Sequence, residues 1–169
     1  MSKIGGRERL LKKMAAIPQA IRKDIASAIE AGANDIVSLQ KQLAPKQSGD
    51  LRNSIRAVKG SYTPENANVR GMSASAAEGN DPDLTVHIVA GDDKAWYARL
   101  VEFGTAPHEI RPKRPGGLLN VYGRMIESVS HPGAKPRPFF YPAYRALRRR
   151  VKGRITRATK QAIKKVASE

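Results

Sequence analysis

The chain has 169 residues, a formal charge of +16 and no cysteine. A chain of that length buries about 70% of its unfolded surface as one domain and needs neither metal nor disulfide for stability. The missing cysteine excludes a thiol nucleophile, a disulfide framework and cysteine-ligated zinc, while the charge excess favours an anionic partner such as nucleic acid, an acidic protein face or an anionic membrane.

The first residues, Met1-Ser2-Lys3-Ile4-Gly5-Gly6-Arg7, lack the apolar core of a secretory signal. No apolar run approaches the roughly 18 residues needed to span a bilayer, so the expectation is a soluble protein without membrane association. Leu10, Met14, Ile17, Ile21, Ile25, Ile29, Ala33, Ile36 and Leu43 recur mostly at spacings of three or four, which predicts one long amphipathic helix. Pro18 either kinks that helix or begins its main segment. Leu43-Ala44-Pro45 ends it, because the residue before a proline avoids helical geometry. A helix from Pro18 to Leu43 spans roughly 39 Å at about 1.5 Å per residue.

Lys46-Gln47-Ser48-Gly49 reads as a turn, and Ile55-Arg56-Ala57-Val58 as the start of a strand. Residues 60–82 are rich in Ser, Ala, Asn, Gly and acidic residues and predict a mobile loop, since they bury too little surface to offset their ordering. Leu84-Thr85-Val86-His87-Ile88-Val89-Ala90 is a strand by its alternation, pairing with 55–58 as an antiparallel hairpin. Tyr97 to Phe103 fits either a helix or a strand. Gly104 then frees the backbone for a sharp turn. His108-Glu109-Ile110-Arg111 and Leu118-Leu119-Asn120-Val121-Tyr122 are further strand candidates, separated by a turn at 113–117. Pro136 and Pro138 favour an extended approach to a last helix over 142–167, with Pro142 in its first turn. Leu147, Val151, Ile155, Ala158, Ala162 and Val166 form its apolar stripe among many Arg and Lys. The fold class is therefore α+β: a single domain with a long N-terminal and a basic C-terminal helix flanking a small antiparallel sheet.

Seven of the nine aromatic residues fall in two blocks, Trp96 to Phe103 and Phe139 to Tyr144. This clustering predicts a core junction made by Trp96, Tyr97, Phe103, Phe139 and Phe140. Burial of Phe103 would make its truncation to alanine cost about 3–5 kcal/mol.

The same blocks carry a resemblance. Tyr97-Ala98 with Val101-Glu102-Phe103-Gly104-Thr105, then Lys135-Pro136-Arg137-Pro138-Phe139-Phe140 with Pro142-Ala143, and upstream Leu43-Ala44-Pro45 with Ser48-Gly49-Asp50-Leu51-Arg52-Asn53-Ser54-Ile55 are similar to the tail-completion or neck proteins of long-tailed bacteriophages and prophages. The long polar insert and the very basic C-terminus depart from the usual pattern. The resemblance implies a non-enzymatic virion protein, made in the host cytoplasm, that joins the head connector to the tail around the DNA channel. It implies a homo-oligomeric ring, with sixfold symmetry as the family-level expectation, and neighbouring neck and tail proteins as partners. The alternatives are a tail terminator that caps the tube and a freestanding nonspecific DNA-binding protein.

Catalytic signals are weak. His87, His108 and His131 are isolated in sequence, without metal-ligand spacing; His87 alternates with Val86 and Ile88 and is expected to face solvent. Glu102, set among apolar neighbours, requires a partner if buried, and is read as structural rather than as a general acid or base. No cofactor motif is present. The basic helix is the candidate contact surface. Arg148, Arg149, Arg150, Lys152 and Arg154 fit either sequence-independent binding to DNA phosphates or an acidic neighbouring protein. A membrane-surface helix would want aromatic anchors on its outer half, and these are missing.

Overall fold

The computed structural model describes residues 19–63, 81–114 and 116–167. The elements are α1 Gln19–Leu43, α2 Asp50–Ser54, β1 Arg56–Lys59, a 3-10 turn Pro82–Leu84, β2 Val86–Val89, α3 Ala98–Phe103, β3 His108–Ile110, β4 Leu119–Val121, β5 Arg124–Ile126, β6 Val129–His131 and α4 Phe140–Ala167. The class is α+β. Instead of one small sheet, the described strands form three separate two-stranded ladders, β1–β2, β3–β6 and β4–β5. Strands of three or four residues fall short of the usual length of about 5–6 and satisfy only one neighbour each. Within the expected single domain, the chain gathers into two compact units, one of Met1–Trp96 with Phe139–Glu169 and one of Tyr97–Pro138. Residues 64–80 of the expected loop, and Leu10, Met14, Ile17 and Pro18 of the N-terminal series, lie outside the described residues.

In the first unit, α1 covers the Gln19–Leu43 part of the predicted helix. Ile21, Ile25, Ala28, Ala33, Ile36 and Val37 are buried along one face. Leu43, expected on that face, is 46% exposed, and Ala44 takes the last buried position. The helical bonding persists one residue further, with Ala44 N–H donating to the Gln40 carbonyl at 2.9 Å.

α1 packs along α4, and the contacts define an antiparallel pair. Ile21 and Ile25 cluster with Ala162, Gly32 faces Val151, and Gln40 Nε2 donates to the Phe140 carbonyl at 3.2 Å. The helices approach closely at Gly32: a Cβ there would lie 2.6 Å from Val151 Cγ1. Valine is stiff at χ1 and cannot swing aside. Gly32→Ala is therefore expected to destabilise by about 1–2 kcal/mol, overpacking of about 1–3 kcal/mol outweighing a helix-propensity gain of up to about 1 kcal/mol. Chemical denaturation checks this, and adding Val151→Ala should recover part of the loss, because the two sites touch.

Beyond α1, Gly49 adopts φ 90° and starts the short α2, which lies between the expected turn at 46–49 and the expected strand from Ile55. Leu51, Ser54 and Ile55 are buried there. Ser54 Oγ donates to the Leu51 carbonyl at 2.8 Å and accepts from Gly91 N–H at 3.0 Å, so one hydroxyl ties α2 to the end of β2. Ser54→Ala should cost about 1–3 kcal/mol by leaving the Gly91 N–H without its acceptor. Faster amide hydrogen exchange at Gly91 is the accompanying sign.

β1 and β2 pair antiparallel with Arg56 opposite Val89 and Lys59 opposite Val86, the expected hairpin. Its far end is held to α1 by Arg22, whose Nη2 reaches both carboxylate oxygens of Asp81 at 2.8 Å. Asp81 in turn caps the 3-10 turn by accepting from Asp83 N–H. Hydrogen bonding to Asp81, with smaller help from Asp83, holds the Arg22 guanidinium pKa above its ordinary value.

In the second unit, the ambiguous 97–103 stretch is helical. A helical period puts Ala98 and Glu102 on one face, and both are buried, whereas Phe103 is 60% exposed. The expected core role of Phe103 is thus corrected: in a helix its ring points away from the face that Ala98 and Glu102 bury. Of the other residues of the anticipated aromatic junction, Phe139 is 1% exposed, Tyr97 and Phe140 are half-buried, and Trp96 is 47% exposed.

Gly104 ends α3 at φ 73° and ψ −174°, and its N–H donates to the Leu100 carbonyl. Only glycine holds that backbone without strain. A Cβ there would also lie 2.5 Å from the Ala134 carbonyl oxygen and 2.9 Å from Pro136 N. From the other side, a Cβ on Gly133 would overlap the Thr105 carbonyl oxygen. The two segments therefore cross at backbone contact, and Thr105 and Ala134 exchange both amide hydrogen bonds at 3.0 and 3.1 Å. Arg137 N–H donates to the Val101 carbonyl at 2.8 Å, continuing the seam.

Candidate functional site

α4 is the most charged element. Its 28 residues include Arg145, Arg148, Arg149, Arg150, Lys152, Arg154, Arg157, Lys160, Lys164 and Lys165, and no Asp or Glu. Its docked line runs through buried Ala143 and Ala162, with Leu147, Val151, Ile155 and Ala158 half-buried between them. This is the stripe read from the sequence, apart from Val166, whose side chain lies outside the described residues. Phe139 seats the helix start, with its ring edge-on to Phe140 at 6.4 Å between centroids, and Pro142 lies in the first turn, where its missing N–H costs nothing.

Arg148, Arg149, Arg150 and Lys152 are exposed. Arg154 is placed differently. Its Nη2 lies 2.8 Å from Asp35 Oδ2 on α1, with side chains 30% and 35% exposed. That carboxylate oxygen is buried without an aligned hydrogen bond, so the contact is a charge pair rather than a directed bond. Arg154 thus helps set the α1–α4 register, and the outward cations are its neighbours. From Arg145 to Lys165 the basic face extends about 30 Å at about 1.5 Å per residue. Ridge neighbours three and four apart keep its charges about 5–6 Å from one another. Tyr141 and Tyr144, 45% and 46% exposed, share that outer side with Arg145 and Arg148 by helical spacing. The sequence reading had missed these aromatics there; their i, i+4 relation to the arginines was the available signal.

The family-motif residues divide by unit. Tyr97, Glu102, Phe103, Gly104 and Thr105 lie in the second unit, where Gly104 and Thr105 meet 133–136 at the glycine crossing, whereas Phe139, Phe140 and Pro142 belong to the start of α4. Pro138 ends the second unit. Gly133 and Gly32 were not singled out from the sequence. A glycine within an amphipathic helix pattern was the signal for Gly32.

The histidines behave differently from expectation. His87 Nε2 is buried and without a hydrogen-bond partner among the described residues; its ring lies 6.5 Å from that of Tyr62. That nitrogen does not face solvent. His108 and His131 are cross-strand partners, stacked at 5.0 Å. Their Nδ1 atoms are engaged by backbone, that of His108 3.0 Å from the Ala106 carbonyl and that of His131 accepting from Gly133 N–H. No group of three or more His, Cys, Asp or Glu among the described residues could hold a metal ion. Glu109, beside His108, has its carboxyl pKa held below the ordinary range by a hydrogen bond from Ser128, then by Arg111. None of the described helices is long and apolar enough to cross a membrane.

Comparison with known proteins gives one family. The model of the HK97-gp10-like family, described as "Bacteriophage HK97-gp10, putative tail-component", matches residues 8–104. No curated protein and no solved structure matches the chain. The matched span runs through α1, the β1–β2 ladder and α3 to Gly104, and it leaves 105–138 and the basic helix outside. With more than half of its length matched, the chain belongs to the HK97-gp10-like family of bacteriophage tail components.

Proposed function

We propose that this chain is a structural protein of the phage head–tail junction, forming a closed ring, with six copies as the family-level expectation, that joins the head connector to the tail around the DNA channel. Membership in a tail-component family points to a structural role in the virion, with other phage tail proteins as partners, rather than to catalysis. The observation that carries the finer reading is α4: one side docks on α1, and the other presents exposed Arg148, Arg149, Arg150 and Lys152 with no acidic residue in the helix. A surface of that kind suits DNA phosphates or an acidic neighbour, and closed cyclic symmetry would repeat it around a channel.

A second reading, a freestanding nonspecific DNA-binding protein, is favoured by the same helix and the +16 charge. Imaging particles produced with and without the chain separates the two. The junction reading expects tailless heads and loose tails in its absence, and ring density at the neck in its presence. Normal infectious particles assembled without it would refute that reading.

A further inference from the structure

The β4–β5 ladder shows no internal reason for the residue at its tip. Val121 pairs with Arg124, leaving Tyr122-Gly123 as a two-residue loop. Both loop residues have positive φ, 51° and 84°, as a type I′ turn requires; Asn-Gly or Asp-Gly is the usual occupant. Tyr122 is the only non-glycine residue with positive φ among the described residues. The left-handed region is disfavoured for a side chain with a Cβ, an aromatic one included. Nothing among the described residues offsets that through the ring, because Tyr122 is 103% exposed. Asn120 Oδ1 accepts from Gly123 N–H at 2.9 Å, so the turn is supported from its polar side without the tyrosine.

The surroundings indicate what the ring meets. Met125 is 58% and Leu118 49% exposed, and Arg124 is exposed beside the tip. Tyrosine, methionine and arginine are the residues enriched where proteins touch. The segment 109–127 holds Arg111, Lys113, Arg114 and Arg124 against Glu109 and Glu127. Arg111 is already paired with Glu109, which leaves Lys113, Arg114 and Arg124 outnumbering Glu127. The same hairpin on a second copy would repel that excess.

We propose that the β4–β5 hairpin is a docking arm whose Tyr122 enters an apolar recess on an acidic face of a different protein of the phage particle. This rests on the virion reading above. The test is Tyr122→Asn in purified particles, together with a benzophenone amino acid at position 122 for photo-crosslinking. Asparagine suits the turn better, so the isolated variant should melt at or above the wild-type midpoint, while its retention in particles falls about 30-fold, the mark of an interface hot spot. The cross-link should join position 122 to another identified virion protein at a segment rich in Asp and Glu. Wild-type retention of the variant, a cross-link to a second copy, or a cross-link to DNA would each overturn the docking arm. Absence of the wild-type chain from particles would overturn the virion reading, and this inference with it.

Discussion

Phe139→Ala is expected to lower folding stability by about 3–5 kcal/mol, the usual cost of emptying a buried aromatic site. Phe139 is 1% exposed and is the largest fully buried side chain among the described residues. It stands at the residue that brings the chain back into the first unit, just before α4. Removing the ring loses its transfer energy and leaves a cavity at a fully buried site. For a chain of this size, that loss should lower the melting midpoint by on the order of 10 °C. Phe103→Ala supplies the contrast. With Phe103 60% exposed, its truncation should change stability by no more than about 1 kcal/mol. Differential scanning calorimetry on both variants settles the assignment. Equal losses would mean that α3 buries a different face from the one described.

Replacing Arg148, Arg149 and Arg150 together by Gln should leave folding intact and weaken binding to DNA or an acidic partner in a salt-dependent way. Glutamine propagates helix about as well as arginine, and all three side chains are exposed. The substitution also relieves like-charge repulsion along α4. If each arginine neutralises one phosphate, the log–log slope of affinity against salt should shrink by about 2.7, from a coefficient of about 0.9 per contact. Between 50 and 200 mM salt, the wild type would then lose about 40-fold more affinity than the variant. Consecutive helix positions point about 100° apart, so a smaller change would count how many of the three face the ligand. Arg154→Gln is the matched control. Its partner is Asp35, so it should loosen the α1–α4 pair and lower stability without a comparable change in salt slope. An unchanged slope in the triple variant would remove α4 from the contact surface.

Both helices were legible because their signals are local. The recurrence of Ile21, Ile25, Ala33 and Ile36 and the stop at Pro45 need only a 3.6-residue period and the sterics of proline. The β1–β2 ladder was equally readable, from alternation on each side of a polar insert. The cationic face of α4 followed from composition, since a helix with ten cations and no acid exposes most of them wherever its apolar stripe docks.

The misreadings share a different cause. Trp96, Phe103 and Phe139 look alike as apolar aromatics, yet only Phe139 is buried. Burial in a six-residue helix depends on which face meets the rest of the fold, and so short a segment carries too few residues for a periodic signal. Arg154 reads like its neighbours until α1 places Asp35 opposite it. His108 and His131 lie 23 positions apart and meet only through the β3–β6 register.

Chain order and side-chain chemistry thus sufficed for the two long helices, the hairpin beside them, the α+β class and the cationic character of the C-terminal element, because each depends on neighbours within a few residues. Packing alone assigned the buried aromatic, the Arg154–Asp35 pair, the closeness of Gly32 to Val151 and the crossing of Gly104 with Gly133. Those are contacts between segments distant in sequence, and excluded volume decides them only when both partners are in place.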